Sequence, residues 1–141
     1  ILIKRNKKRP LKNHIQLEEL LNFFCKRFNL TLYIHDDNNL PSLKQQQQIF
    51  NRAKYVFAPH GAGGIHLVSM REGSWFIEIL SGNPIRVNSS ISSDINICYS
   101  RLSYLCSINY KGILMNSDST IDLKKIEKVL KDLSENNDLI I

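Results

Sequence analysis

Apolar positions along the chain alternate between short unbroken runs and stretches with a helical period, the signature of strands interleaved with amphipathic helices. Ile1 to Arg5 reads as a short buried strand. Leu17, Leu20, Leu21, Phe24 and Phe28 then recur at the three-and-four spacing of a single helix face. Thr31 to His35 predicts a second strand. Ser42-Leu43-Lys44-Gln45 has the form of a capping box, in which a serine oxygen and a glutamine side chain satisfy the free amides of a helix start, and it predicts a helix running to about Ala53. Tyr55 to Ala58 predicts a third strand, stopped by Pro59, and Ile65 to Met70 a short helix. Ser74 to Leu80 is apolar apart from Ser74 and Glu78, which suits a strand covered on both faces. Ser81-Gly82-Asn83-Pro84 turns the chain. A helix around Asn96 to Leu105 and a short strand near Gly112 to Met115 follow, and Leu123, Ile126, Leu130 and Leu133 share one face of a last helix, with Asp118 to Asp122 as candidate caps.

Strands alternating with helices over this length predict an α/β fold, a Rossmann-like parallel sheet flanked by helices. With 141 residues, 43% of them hydrophobic, the chain can bury one core, so residues 1–141 are expected to form a single domain. It opens on an apolar run without a methionine, and is read as a fragment. No run of about 18 apolar residues offers a membrane span, so a soluble chain without membrane contact from this segment is expected. Cys25, Cys98 and Cys106 have neither CxxC nor Cys/His ligand spacing, and are expected to be buried thiols rather than disulfides or zinc ligands.

The net charge of +6 is local. Lys4, Arg5, Lys7, Lys8, Arg9 and Lys12 precede the first acidic residue, and the other thirteen basic residues balance all thirteen acids. A compact anion site is therefore favoured over a broad nucleic-acid face, and no aromatic residue is interleaved in the basic loop for base stacking. A solvated surface loop is the alternative.

In a parallel sheet, ligands bind beyond the carboxyl ends of the strands. Two unusual loops are expected there: the basic loop after the first strand and the turn Pro59-His60-Gly61-Ala62-Gly63-Gly64 after the third. Gly61, Gly63 and Gly64 would allow positive backbone dihedrals and close approach of a ligand. The helix start behind them would attract an anion such as a diphosphate, with Arg5 or Arg9 gripping its oxygens in two-pronged fashion. The turn is neither GxGxxG nor a P-loop, and glycine serving geometry alone remains the plain alternative.

The order of these features resembles glycosyltransferase family 61. The resemblance rests on Arg5 to Asn13, a Ser-Leu-x-x-Gln helix start, and Ala53-x-Tyr-Val-Phe-Ala-Pro-His60-Gly61-Ala62-Gly63, followed fifteen residues later by an apolar strand ending in Glu78-Ile79. It covers about the first eighty residues well. It implies a GT-B architecture of two facing Rossmann-like domains, of which this chain would be the C-terminal, donor-binding one, the N-terminal acceptor domain lying elsewhere. It also implies transfer from a UDP-sugar, N-acetylglucosamine or xylose in the members considered, with inversion, to a glycan or glycoprotein acceptor. No obligatory cofactor and no metal are implied. Arg5 and Arg9 would contact the donor diphosphate, His60, Gly61, Ala62 and Gly63 the pyrophosphate and sugar, and Glu78 the ribose hydroxyls. The family continues the turn with Leu-Thr-Asn where this chain has Gly64-Ile65-His66, so a contact from that asparagine is not carried over.

His60 is the candidate catalytic residue, with capping of the turn as its alternative, and no general base is identified. His66 lies about 240° around a helix from His60, a poor arrangement for a shared metal. Glu78, at the inner end of a buried strand, needs a partner or a ligand. Asp36-Asp37 could be a metal-binding acidic pair, but the Asn38-Asn39-Leu40-Pro41 that follows reads as a solvated loop. A non-catalytic nucleotide-binding or interaction module on the same scaffold is the rival function. The compartment is open: secretory lumen for a eukaryotic member, cytoplasm for a bacterial or viral one.

Overall fold

The computed structural model describes residues 1–7, 10–81 and 98–135. Five parallel strands, β1 (Leu2–Lys4), β2 (Ile34–Asp36), β3 (Tyr55–Pro59), β4 (Trp75–Leu80) and β5 (Asn109–Leu114), form one sheet in the order β2-β1-β3-β4-β5. Four α-helices, α1 (His14–Arg27), α2 (Leu43–Asn51), α3 (Cys98–Leu105) and α4 (Leu123–Glu135), and a 3-10 helix over Ala62–Ser69 cover its two faces. This is the expected Rossmann-like α/β arrangement.

The period of two in the strands sorts the side chains onto two cores. Leu2, Tyr55, Phe57, Ile77, Ile79 and Ile113 face α1 and α4, which bring Leu17, Leu21, Phe24, Ile126, Leu130 and Leu133. Ile3, Val56, Ala58 and Phe76 face the other way, towards Phe50 of α2, Leu67 of the 3-10 helix and Tyr99 of α3. Glu78 shares the parity of Phe76 and so belongs to this second face.

Local chemistry fixes the element ends. Ser42 and Gln45 form the full capping box at the start of α2, with Ser42 N donating to Gln45 Oε1 at 3.0 Å. Asn13 precedes α1 but makes no cap. Its side chain instead pairs with the backbone of Ile121, donating to the carbonyl at 2.8 Å and accepting from the amide at 2.9 Å, which ties the start of α1 to the segment before α4.

Several boundaries differ from the sequence expectation. The second strand lies at Ile34–Asp36 rather than at Thr31–His35, because β1 is three residues long and its register, Leu2 on Ile34 to Lys4 on Asp36, offers partners only there. Pro59 does not stop β3 but is its last residue, paired with Ile79. The short helix begins at Ala62 and is 3-10 rather than α, and β5 begins at Asn109. None of the three thiols is buried: Cys98 is exposed, and Cys25 and Cys106 are half-buried. The expected turn at Ser81 to Pro84 lies, beyond Ser81, outside the described residues, as do Arg9 and the first two residues of the helix expected from Asn96. Among the described residues no helix is long and apolar enough to cross a membrane.

Candidate functional site

The strand order 2-1-3-4-5 reverses direction once, between β1 and β3. In doubly wound sheets a crevice opens at such a switch point, where the loops leaving two neighbouring strands turn to opposite faces. The loop leaving β1 here is the basic loop, beginning with Arg5, and the loop leaving β3 is the glycine turn, beginning with His60. The two loops singled out in the sequence are thus adjacent, one on each side of the crevice.

Arg5 spans it. Its Nη1 donates to the carbonyl oxygen of His60, and its guanidinium lies against Gly61. A Cβ built on Gly61 would stand 2.6 Å from Arg5 Cζ, so only glycine leaves the guanidinium in place. Gly64 is constrained from the other side, since a Cβ there would come within 2.7 Å of the Tyr99 ring. Gly63 has room for a methyl group, its nearest neighbour being Ile3 at 3.5 Å. Among the described glycines only Gly61 and Gly73 have positive φ, so the expectation of positive dihedrals at Gly63 and Gly64 is corrected. Close packing, not backbone handedness, accounts for Gly64. Ala62 is exposed at the tip of the turn.

The basic loop is aimed by an asparagine. Asn6 Nδ2 donates to Asp36 Oδ1 at 2.6 Å and to Asp37 Oδ1 at 2.7 Å, and its backbone amide donates to Asp37 Oδ1 at 3.0 Å. Lys4 pairs with Asp36 at 3.2 Å. The Asn38 amide, helped by Lys4, holds the Asp36 carboxyl below the usual carboxylate range. The acidic pair therefore fastens the loop after β1 to the loop after β2. Among the described residues no group of three or more His, Cys, Asp or Glu side chains is placed to hold a metal.

Beneath the turn lies a hydrogen-bonded chain. His60 Nδ1 is 2.5 Å from Glu78 Oε1, and Tyr110 donates its hydroxyl to Glu78 Oε2 at 2.6 Å. Glu78 has no exposed surface. Its neighbours in register on the adjoining strands are Ala58 and Gly112, small enough to let His60, two residues past Ala58, and Tyr110, two before Gly112, reach the carboxylate from either side. An ionised Glu78 would only accept, which would place a hydrogen on His60 Nδ1 and leave Nε2 for other partners. Burial, reinforced by the Glu78 hydrogen bond and charge, pushes the Tyr110 hydroxyl up, which keeps it a donor. The His60 backbone is pinned too, its amide donating to Ile79 O at 2.8 Å. Tyr99 closes the arrangement, donating to Gly61 O at 2.8 Å with its ring 5.8 Å from that of His60.

Arg5, His60, Gly61, Ala62 and Gly63 thus share one rim, with Glu78 directly behind them. Among the described residues each Glu78 oxygen has a partner, His60 at one and Tyr110 at the other. Arg9 lies outside the described residues. His66 packs away from the rim, stacked on Phe50 at 4.8 Å and 5.5 Å from His35, and burial lowers the pKa of both imidazoles. Sequence reasoning missed Tyr99, Tyr110 and Asn6. Ala58 and Gly112 flanking Glu78 were the available signal for the chain beneath the turn, legible only once the strand register is known.

A second concavity, of about 910 Å³, opens at the amino ends of β1 and β3, between α1 and α2, lined by Ile1, Phe24, Leu32, Tyr33, Ile49 and Tyr55 among others. Parallel sheets bind their ligands at the opposite, carboxyl end, and none of the residues of the glycine turn or the basic loop reaches it. The switch-point crevice is therefore the candidate site.

A family model described as Glycosyltransferase 61 matches residues 1–77 of the chain. The match runs from β1 into β4, takes in Arg5 and the whole glycine turn, and stops one residue short of Glu78. No curated protein matches the chain.

Proposed function

The chain belongs to glycosyltransferase family 61, and from that premise we propose that it binds the donor of an inverting enzyme, a UDP-sugar carrying N-acetylglucosamine or xylose, for transfer to a glycan or glycoprotein acceptor. The observation that carries this reading is the Arg5 bridge across the β1/β3 switch point, which sets a guanidinium beside the start of the 3-10 helix. A diphosphate seated there would meet two kinds of fixed positive charge, the planar fork of Arg5 and the amide N–H groups of the turn. Both are in place before the reaction, so they favour the leaving nucleoside diphosphate as its charge develops. Arg9 would add to the same grip. Gly61 and Gly63, half-buried, and Ala62 at the tip would give the pyrophosphate close access to backbone. Glu78 would act on the donor through His60. A second Rossmann-like domain, completing a GT-B enzyme, would bring the acceptor to the crevice.

Calorimetry with UDP and with uridine tests this reading. If the diphosphate carries the affinity, UDP binds at least about ten-fold tighter than uridine, since charge-assisted hydrogen bonds contribute about 1.5–3 kcal/mol each. Equal affinities, or no binding of UDP, would remove the crevice as a diphosphate site.

A further inference from the structure

Beyond any part in donor binding, the chain His60–Glu78–Tyr110 orients one imidazole. We propose that His60 accepts the proton of the attacking hydroxyl at its Nε2, and that Glu78 and Tyr110 are positioning residues that hold the imidazole in the tautomer this requires. The proposal rests on the crevice being the donor site and deepens that reading.

Three observations support it. Glu78 is fully buried in the middle of a sheet, a costly place for a carboxylate unless it is fully hydrogen-bonded, and both its oxygens are engaged, one by each partner. His60 is held at three points, its ring by Glu78 at Nδ1 and its backbone by Ile79 O at the amide and Arg5 at the carbonyl. Its side chain nevertheless keeps 15% of its surface exposed, and Nε2 has no partner among the described residues. A carboxylate behind a partly exposed histidine at the rim of a ligand crevice is the arrangement that makes imidazole an oriented general base. Among the described residues, the groups placed against His60 and its partners are Glu78 from β4, Tyr110 from β5, Tyr99 from α3 and Arg5 from the loop after β1. Only Arg5 among them is a cation, and it is engaged with the His60 carbonyl.

The step balances without a further reactant. The acceptor oxygen forms its bond to the anomeric carbon as the bond from that carbon to the diphosphate oxygen breaks. The leaving nucleoside diphosphate keeps the bonding pair, and the hydroxyl proton passes to His60 Nε2. Water in place of the sugar acceptor gives the same balance and releases UDP and free sugar.

The experiment uses the full chain, its Glu78→Gln and Tyr110→Phe variants, and three readouts: nitrogen NMR of the imidazoles, calorimetry with UDP, and UDP release from UDP-N-acetylglucosamine and UDP-xylose across a pH series. The proposal expects His60 to carry its hydrogen on Nδ1, and its Nε2 resonance to move when UDP binds. Glu78→Gln keeps the UDP affinity within about two-fold while slowing UDP release by about 100-fold or more, because an amide can stabilise the wrong tautomer. Tyr110→Phe gives a smaller loss in the same direction, and the wild-type rate rises with pH, as catalysis by a base requires. A hydrogen on Nε2 with Nδ1 bare, an Nε2 resonance indifferent to UDP, or a Glu78→Gln variant as fast as the wild type would overturn it. So would a rate that falls as pH rises, which would make His60 a donor to the leaving group. If the wild type does not bind UDP at all, the donor-site reading fails first.

Discussion

Replacing Arg5 with alanine is expected to weaken UDP binding by about 10- to 100-fold, with little change in the midpoint of thermal unfolding. The affinity loss corresponds to the one or two charge-assisted hydrogen bonds that a guanidinium makes to a diphosphate. The stability change is small because Arg5 stands at the rim, bonded to the His60 carbonyl, and holds no place in the core. Lysine should restore only part of the affinity, since it is a point charge and cannot reproduce a planar fork. Gly61→Ala supplies an independent check. Its new Cβ would collide with the guanidinium, so it should weaken UDP binding through Arg5. The two substitutions together should then cost little more than Arg5→Ala alone, a non-additivity that calorimetry on the four variants measures. Unchanged affinity in Arg5→Ala, or full additivity, would detach the arginine from the ligand.

Glu78→Ala is expected to be the most damaging single substitution for stability, at about 3–5 kcal/mol. It removes a fully buried side chain from between Ala58 and Gly112, and leaves the Tyr110 hydroxyl and the His60 Nδ1–H without an acceptor. Each orphaned donor costs about 1–3 kcal/mol, and the vacated volume adds a cavity term. Domains of this size are stable by about 5–15 kcal/mol, so a loss on this scale is a large fraction of the total. Urea unfolding reads it as a drop in the midpoint concentration with the slope preserved. Glu78→Gln, which keeps the shape and one of the two acceptor oxygens, should cost less. A shift below 1 kcal/mol for Glu78→Ala would mean the carboxylate does not anchor its two partners.

The contrast between these substitutions reflects what each residue is built into. Arg5 stands at the edge of a crevice and acts on what enters it. Glu78 stands under the crevice and acts through His60.

Much of this was legible in the sequence, for reasons that can be given residue by residue. The helix at Leu43 was readable because Ser42 and Gln45 are a local signal, complete within four residues. The sheet was readable because Val56, Phe57, Phe76 and Ile77 lie in apolar runs of strand length. The adjacency of Arg5 and His60 followed from a general property of parallel sheets, that loops after strands gather at one end. What sequence could not supply was register. Nothing local says that Leu2 pairs with Ile34, which moves β2 three residues from where its apolar run begins, or that Ala58 pairs with Glu78, which lines His60 up with the carboxylate. Tyr110 was missed for the same reason, since β5 starts at Asn109 among half-exposed residues that carry little apolar pattern. Gly63 and Gly64 are expected from sequence to take positive dihedrals, whereas the constraint on Gly64 is the Tyr99 ring, thirty-five residues away, a contact only the fold creates.

The central claim is that a nucleoside diphosphate binds at the switch point between β1 and β3. Titrating the isotopically labelled chain with UDP while following its backbone amide resonances tests this most directly. The predicted result is a set of saturable shifts confined to Arg5, Asn6 and the amides of His60 to Gly64. Shifts centred instead on Leu32, Tyr33, Ile49 and Tyr55, at the opposite end of the sheet, or none at all at saturating UDP, would contradict it.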